Sequence, residues 1–329
     1  MDTRKYFFLQ LAYFIALTFL ISSCGGSGGG SSSGPATPPA STFSFTKQVG
    51  SVMDDRGNAV SVDSGGNIYV TGSTGGGLDG NTNAGASDIF LIKYDSAGNK
   101  QWTRQLGSAN YDEGKGVAVD TSGNVYITGY TYGDLDGNTN AGGADIFLVK
   151  YDSAGNKQWT RQLGNNRDDK GFGVTVDTSG NIDVCGFYDG WAGASPYTDI
   201  FLVKYDSAGN KQWTRQVSGG EHLSPDSANG VTNDNSGYIY VTGQTYGPLL
   251  GSTFAGDADI FLVKYDSAGI VQWTRQLGSL HGDVGNGVAV GNSGNIYVTG
   301  NTQGGLDGNT NAGGIDIFLA KYSSIGVKQ

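Results

Sequence analysis

The chain is short of the residues from which most active sites are built. Its 329 residues include two cysteines, two histidines and, among 30 acidic side chains, only the two glutamates Glu113 and Glu221. So few cysteines allow no disulfide framework. With the histidines at His222 and His281, the set offers no nucleophile–base arrangement to which roles can be given. A non-catalytic protein is therefore expected, with glycan hydrolysis as the alternative. Basic charge is scarce too: 20 lysines and arginines leave a formal net charge of −10. That balance argues against nucleic acid as a partner and against docking on anionic lipid by charge alone. A 3.6-residue apolar period is missing from every ten-residue stretch of the repeat described next, which argues against helix.

What is present is one pattern written five times. Its first valine stands at Val60, Val117, Val174, Val231 and Val288, in steps of 57 residues. A fixed period of this size marks an array of supersecondary units, none of which buries its apolar face alone. The second unit holds four short runs, 116–120, 124–129, 145–152 and 157–163, rich in β-branched and aromatic residues and bounded by Gly, Asn, Asp and Ser. These read as strands and turns. The connection Asp152-Ser-Ala-Gly-Asn156 predicts a tight hairpin with Gly155 at positive φ. One unit is thus a four-stranded antiparallel sheet, the blade of a propeller.

The last unit stops at Gln329, where the others place a tryptophan, while Phe45-Thr-Lys-Gln-Val-Gly50 matches Trp102-Thr-Arg-Gln-Leu-Gly107. The N-terminal segment is expected to supply the missing strand and close the ring, which removes the open edges of a linear array. The expected fold is all-β: a closed five-bladed β-propeller of four-stranded antiparallel blades over residues 43–329, its last blade completed by the N-terminal strand. The run from Asp145 to Trp159, followed by Gly-Val-x-Val-Asp, resembles the bacterial beta-propeller repeat family known as SBBP, over the whole chain after residue 42. The family's name implies seven blades, against five units here. The resemblance implies a secreted or surface location and carries no catalytic residues with it.

Residues 1–23 read as an export signal, with Arg4 and Lys5 ahead of the apolar Phe7–Leu20. Ile21-Ser-Ser-Cys24 resembles a bacterial lipobox, which makes Cys24 the lipidated first residue of the mature chain. Residues 24–42 form a Gly/Ser and then Pro-containing tether with a reach of ~25 Å. The expectation is a monomeric protein of the bacterial cell envelope, at the outer membrane or cell surface, touching the membrane through its lipid only. Cys185, which replaces the threonine of Thr71, Thr128, Thr242 and Thr299, is expected to be a small buried residue.

Four constellations remain. Asp79, Asn81 and Asn83 with Asp88 recur as Asp136, Asn138 and Asn140 with Asp145, and as Asp307, Asn309 and Asn311 with Asp316. Oxygens at alternate positions with a later carboxylate suit calcium, yet the same residues build self-bonded turns, and the turn reading weighs more. Asp55, Asp112, Asp169, Asp226 and Asp283 each precede a first strand and read as loop-bonding carboxylates ahead of a cation-gathering ring. Trp102, Trp159, Trp213 and Trp273 read as inter-blade core. Last, the spacing from Gly186 to Asp199 is 13 residues against 16 elsewhere, and that from Trp213 to Val231 is 18 against 15. This sector holds Asp189, Trp191, Tyr197, Glu221 and His222, a candidate ligand site on rigidly held loops, with drift in a redundant repeat as the alternative. The expected function is a membrane-anchored binding or interaction scaffold for a protein or glycan, with calcium as the one candidate cofactor.

Overall fold

Alternating β-branched and aromatic residues between Gly/Asn/Asp turns produce nineteen strands and no helix among the described residues, which in this computed structural model are 45–189, 198–219 and 225–329. Residues 47–329 form one compact unit; of the preceding unit only Phe45 and Thr46 are described. Cys24 therefore lies outside the described residues. The first blade is β1 Asp55–Val62, β2 Ile68–Thr74, β3 Asp88–Tyr94 and β4 Lys100–Leu106, and the second is β5 Asp112–Val119, β6 Val125–Thr131, β7 Asp145–Tyr151 and β8 Lys157–Leu163. The third contains β9 Asp169–Val176, β10 Ile182–Asp189, β11 Thr198–Tyr205 and β12 Lys211–Val217, and the fourth β13 Ser227–Asn233, β14 Ile239–Thr245, β15 Asp259–Tyr265 and β16 Val271–Leu277. The fifth has β17 Asp283–Val290, β18 Ile296–Thr302 and β19 Asp316–Tyr322. Every sheet is an antiparallel meander in chain order.

The turns follow the local chemistry. In the β7–β8 hairpin Gly155 takes φ 80° and donates its N–H to Asp152 O, while the Asp152 carboxylate accepts the Ala154 and Asn156 N–H groups. Between blades, the two faces of each sheet meet different neighbours. Tyr69, Ile89 and Leu91 of the first blade pack on Val117, Ile127, Phe147 and Val149 of the second, and the same pairing recurs at the next three boundaries. The tryptophans seal these boundaries from outside: Trp102 lies 6.3 Å from Tyr69 and under Arg104, whose Nε donates to Gly155 O of the next blade at 2.7 Å. Main-chain bonds stitch the inner edges, from Asp112 N to Ser87 O, Asp169 N to Ala144 O, Asp226 N to Thr198 O and Asp283 N to Ala258 O.

The expected closure is not present among the described residues. The fifth sheet has three strands, residues 45–50 adopt no strand, and no core cluster joins the fifth blade to the first among the described residues. Val49 instead packs on Phe90 and Ile92 of the first blade, as Leu106 does at the next boundary. The faces that pack together at the four internal boundaries are left uncovered at the two ends, Ile317 and Leu319 on the fifth blade and Val60 and Val62 on the first.

Candidate functional site on the inner rim

The Asp/Asn loops do not converge on a shared centre. Asp79, at φ 50°, gives its carboxylate to Lys100 and Thr103, and Asp136 gives its own to Lys157 and Thr160. Asn81, Asn138 and Asn309 each donate to the carbonyl three residues back, of Leu78, Leu135 and Leu306. Asn83, Asn140 and Asn311 accept the N–H two residues on. Asp88, Asp145 and Asp316 accept that of Ala84, Ala141 and Ala312, and Asp307 pairs with Lys328. In the fourth blade Leu250 holds the same turn at φ 51°, so the aspartate is not needed to form it. Most of these oxygens are engaged by the loop or by the segment that follows it, while Asp88 Oδ1 and Asp145 Oδ1 are buried without a hydrogen-bond partner.

The carboxylates before each first strand also serve their own loops. Asp112 accepts Ser108 N at 2.6 Å and the Thr131 hydroxyl; Asp169 accepts Asn165 N at 2.6 Å and Asp189 N at 2.8 Å. All are sealed from solvent except Asp55, and Asp112, Asp169, Asp226 and Asp283 lie near the strand-three aspartates Asp88, Asp145, Asp199 and Asp259 of the preceding blade. Burial first, then the neighbouring Asp145 and Asp189 charges, push Asp169 up to about 7 against the backbone bonds that lower it. Burial likewise raises Asp112, Asp145, Asp226 and Asp259. Between about pH 4 and 7 the folded chain keeps a proton on Asp169 that the unfolded chain has released, so stability falls as pH rises through that window. The expected result is a thermal midpoint that declines from pH 5 to pH 8, with a flatter profile in Asp169→Asn; an equally steep decline in the variant would place the effect elsewhere.

The first strands of successive blades neighbour one another and form the inner rim, as the bonds from Asn58 Nδ2 to Gly114 O and from Asn229 Nδ2 to Gly285 O show. Here the repeat breaks its own rule. One equivalent position carries Arg56, Glu113, Lys170, Ser227 and Val284 in the five blades. Glu113 accepts bonds from Tyr111, Tyr130, Lys115 and Asn58. Burial pushes its carboxyl up, but Lys115 and Tyr130 outweigh that and hold it below the ordinary glutamate range. Burial, reinforced by Glu113, raises the Tyr130 hydroxyl. Tyr111 stacks on Tyr130 at 6.3 Å, and Tyr132 stands edge-on to both. The Lys170 ammonium sits 4.8 Å from the Tyr130 ring and 5.5 Å from that of Tyr132, with Asp168 at 3.4 Å. A cavity of about 530 Å³ opens beside Tyr111, lined also by Met53, Asp54, Arg56 and Ser73.

Of the ligand residues expected from the loop lengths, Asp189 stands at the end of β10, 3.6 Å from Arg167, on the flank of this rim. Trp191, Tyr197, Glu221 and His222 lie outside the described residues. Sequence reasoning passed over Tyr111, Tyr130, Tyr132 and Lys170 because it compared loop lengths; aligning the five first and second strands position by position would have exposed them. Cys185 is a free, fully buried thiol, pushed up to about 12 by burial.

The beta-propeller repeat SBBP matches the chain at residues 45–79, 101–136, 158–186, 212–249 and 272–307. Over 350 residues the chain is 27% identical to the regulatory protein FlaEY of Caulobacter vibrioides, covering 92% of this chain and 36% of that protein. Over 318 residues it is 24% identical to the uncharacterized WD repeat-containing protein L264 of Acanthamoeba polyphaga mimivirus, covering 71% and 23%. The chain spans well under half the length of the curated relatives it matches. Among solved structures it is similar to a Bacteroides caccae protein of unknown function at 9% identity and TM-score 0.44, covering 83% of this chain and 82% of that one. It is also similar to a Xanthomonas campestris gluconolactonase at 12% identity and TM-score 0.41, covering 87% of both.

Proposed function

The chain belongs to the beta-propeller repeat family, and from that scaffold we propose a non-catalytic binding protein, tethered to the cell envelope through Cys24, that takes a glycan on the inner rim of its first three blades. The observation that carries this reading is the unequal occupancy of one repeated position by Arg56, Glu113 and Lys170, fenced by Tyr111, Tyr130 and Tyr132. Positions that serve only the blade repeat; these do not. Aromatic faces beside paired acid and base side chains suit a polyhydroxylated ligand, which stacks its apolar ring face and bonds its hydroxyls to groups held in place beforehand. Calcium forms no part of the reading, since among the described residues no three acidic, imidazole or thiol side chains gather so as to hold a metal ion, and Asp79, Asp136 and Asp307 are paired with Lys100, Lys157 and Lys328. Hydrolysis would call for a proton donor facing the ligand beside an ionised carboxylate. Asp169 holds its proton near neutral pH but is sealed within its own loop.

Titration of the full chain against a panel of soluble oligosaccharides by calorimetry tests this. Tyr132, exposed at the rim, contributes a stacking contact worth about 1–1.5 kcal/mol, so Tyr132→Ala is expected to weaken binding about tenfold with an unchanged thermal midpoint. Arg56→Ala is expected to weaken it as well. Absence of binding across the panel would overturn the reading, as would binding that both variants leave intact.

A further inference from the structure

The four boundaries between blades are made by two complementary faces, and one copy of each face is left over. The fifth blade exposes Ile317 and Leu319 at 74% and 73%, whereas their equivalents Ile146 and Leu148, which pack on the third blade, are 2% and 1% exposed. The first blade exposes Val60 and Val62, whose counterparts Val117 and Val119 pack on the first blade's own Ile89 and Leu91. The edge of β19 is open from Ile317 to Ala320, with a single bridge from Tyr322 to Lys328. Its inner end has an unused stitch as well: Ile315 stands where Ser87, Ala144, Thr198 and Ala258 offer their carbonyls to the next blade, and no such bond reaches Asp55 among the described residues. Val49 already sits on the first blade in the place of Leu106, where the preceding blade's fourth strand belongs.

We propose that a second copy of this chain occupies these faces, head to tail, so that the fifth blade of one copy docks on the first blade of the next. The join repeats a packing the molecule makes four times within itself, and it leaves every internal boundary undisturbed. Closure within one chain would instead have to bring Val60 and Val62 onto Ile317 and Leu319, which stay exposed while the four internal boundaries are packed with residues buried to 0–9%. The join also defines a register. Phe90 opposes Gln105, Phe147 opposes Gln162 and Phe261 opposes Gln276, so Phe318 of one copy opposes Gln48 of the other, and Ile317 opposes Val49. The contact is heterologous, which leads to a closed ring of copies where the rotation closes and to a filament where it does not.

Single-cysteine chains separate the two ways of filling the faces. Full-length protein with Cys24→Ser and Cys185→Thr is prepared in three forms: with Gln48→Cys, with Phe318→Cys, and with both. A short thiol–thiol crosslinker is then applied. The expected result is a two-chain product when the two single-cysteine forms are mixed, absent from either form alone and lost when Leu319→Asp is added. Leu319 is exposed, so that change leaves the folded chain intact. Product only from the doubly substituted form, at single-chain mass, would show closure within one chain and overturn the proposal. No product from any form would overturn it too.

Discussion

Gly129→Ala is expected to abolish a cooperative unfolding transition near physiological temperature. Gly129 sits in β6 opposite Gly114, where a β-carbon would stand 1.9 Å from Glu113 O and 2.9 Å from the Phe147 ring. Neither neighbour can give way, because one is backbone within a hydrogen-bonded strand pair and the other is a fully buried ring. The same glycine recurs at Gly72, Gly186, Gly243 and Gly300, each meeting a cross-strand carbonyl at 1.8–2.0 Å. Overpacking against fixed backbone belongs to the class of substitutions that cost more than about 4 kcal/mol, close to the whole margin of an ordinary domain. Gly137 is the internal control: it takes φ 78° with no atom within 4 Å of an added β-carbon. Gly137→Ala is therefore expected to cost only the conformational penalty of about 1–2 kcal/mol. Denaturant titration followed by circular dichroism separates the two. A Gly129→Ala protein within about 1 kcal/mol of the parent would mean that the strands part to admit a methyl group.

Lys204→Met is expected to cost about 3–5 kcal/mol, while the same change at Lys150 costs less than about 1 kcal/mol. The two lysines hold equivalent places in β11 and β7 but face different partners. Lys150 lies 5.3 Å from the Tyr126 ring and donates to Ser207 O at the surface. In the third blade Asp183 replaces that tyrosine, is wholly buried, and accepts the Lys204 ammonium on both oxygens at 3.1 Å, with Asp177 at 3.5 Å. Burial pushes Asp183 up to about 6 despite the lysine. Without Lys204 an uncompensated carboxylate stays inside the sheet. Its cost should shrink as pH falls towards about 6, because the carboxyl takes up its proton more readily once Lys204, which lowers it, is gone. Asp183→Tyr restores the residue of the other blades, whose hydroxyl would donate to Asp177 as Tyr126 does to Asp120. That variant is expected to match the parent or exceed it, since a buried ion pair replaced by well-packed groups is often neutral or stabilising. Equal losses at Lys204 and Lys150, read as denaturant midpoints at pH 8, would remove the ion pair from the account.

The strands, the turns and the pairing of blades were legible from residue pattern, and so was Cys185 as a buried thiol. The Asp/Asn loops were less so: the spacing Asp79-x-Asn81-x-Asn83 is compatible with a cage or a turn, and only the direction of each side chain tells them apart. Lys100 and Thr103, which claim Asp79, come from a strand some twenty residues later in the chain. The rim was less legible still, because Glu113, Tyr130 and Lys170 meet from three strands of two blades, and no local motif joins them.

What the sequence by itself determined is the blade, since its strands, hairpins and glycine contacts depend on residues within one 57-residue period and are written there five times. Only the tertiary structure decided whether the ring closes. The angle between neighbouring blades is set by the shape of packed side chains at each boundary, and its sum over four boundaries governs where the fifth blade ends. A small change at each boundary accumulates over the array, so no single residue or motif carries the answer. The structure leaves the fifth blade's Ile317 and Leu319 and the first blade's Val60 and Val62 uncovered.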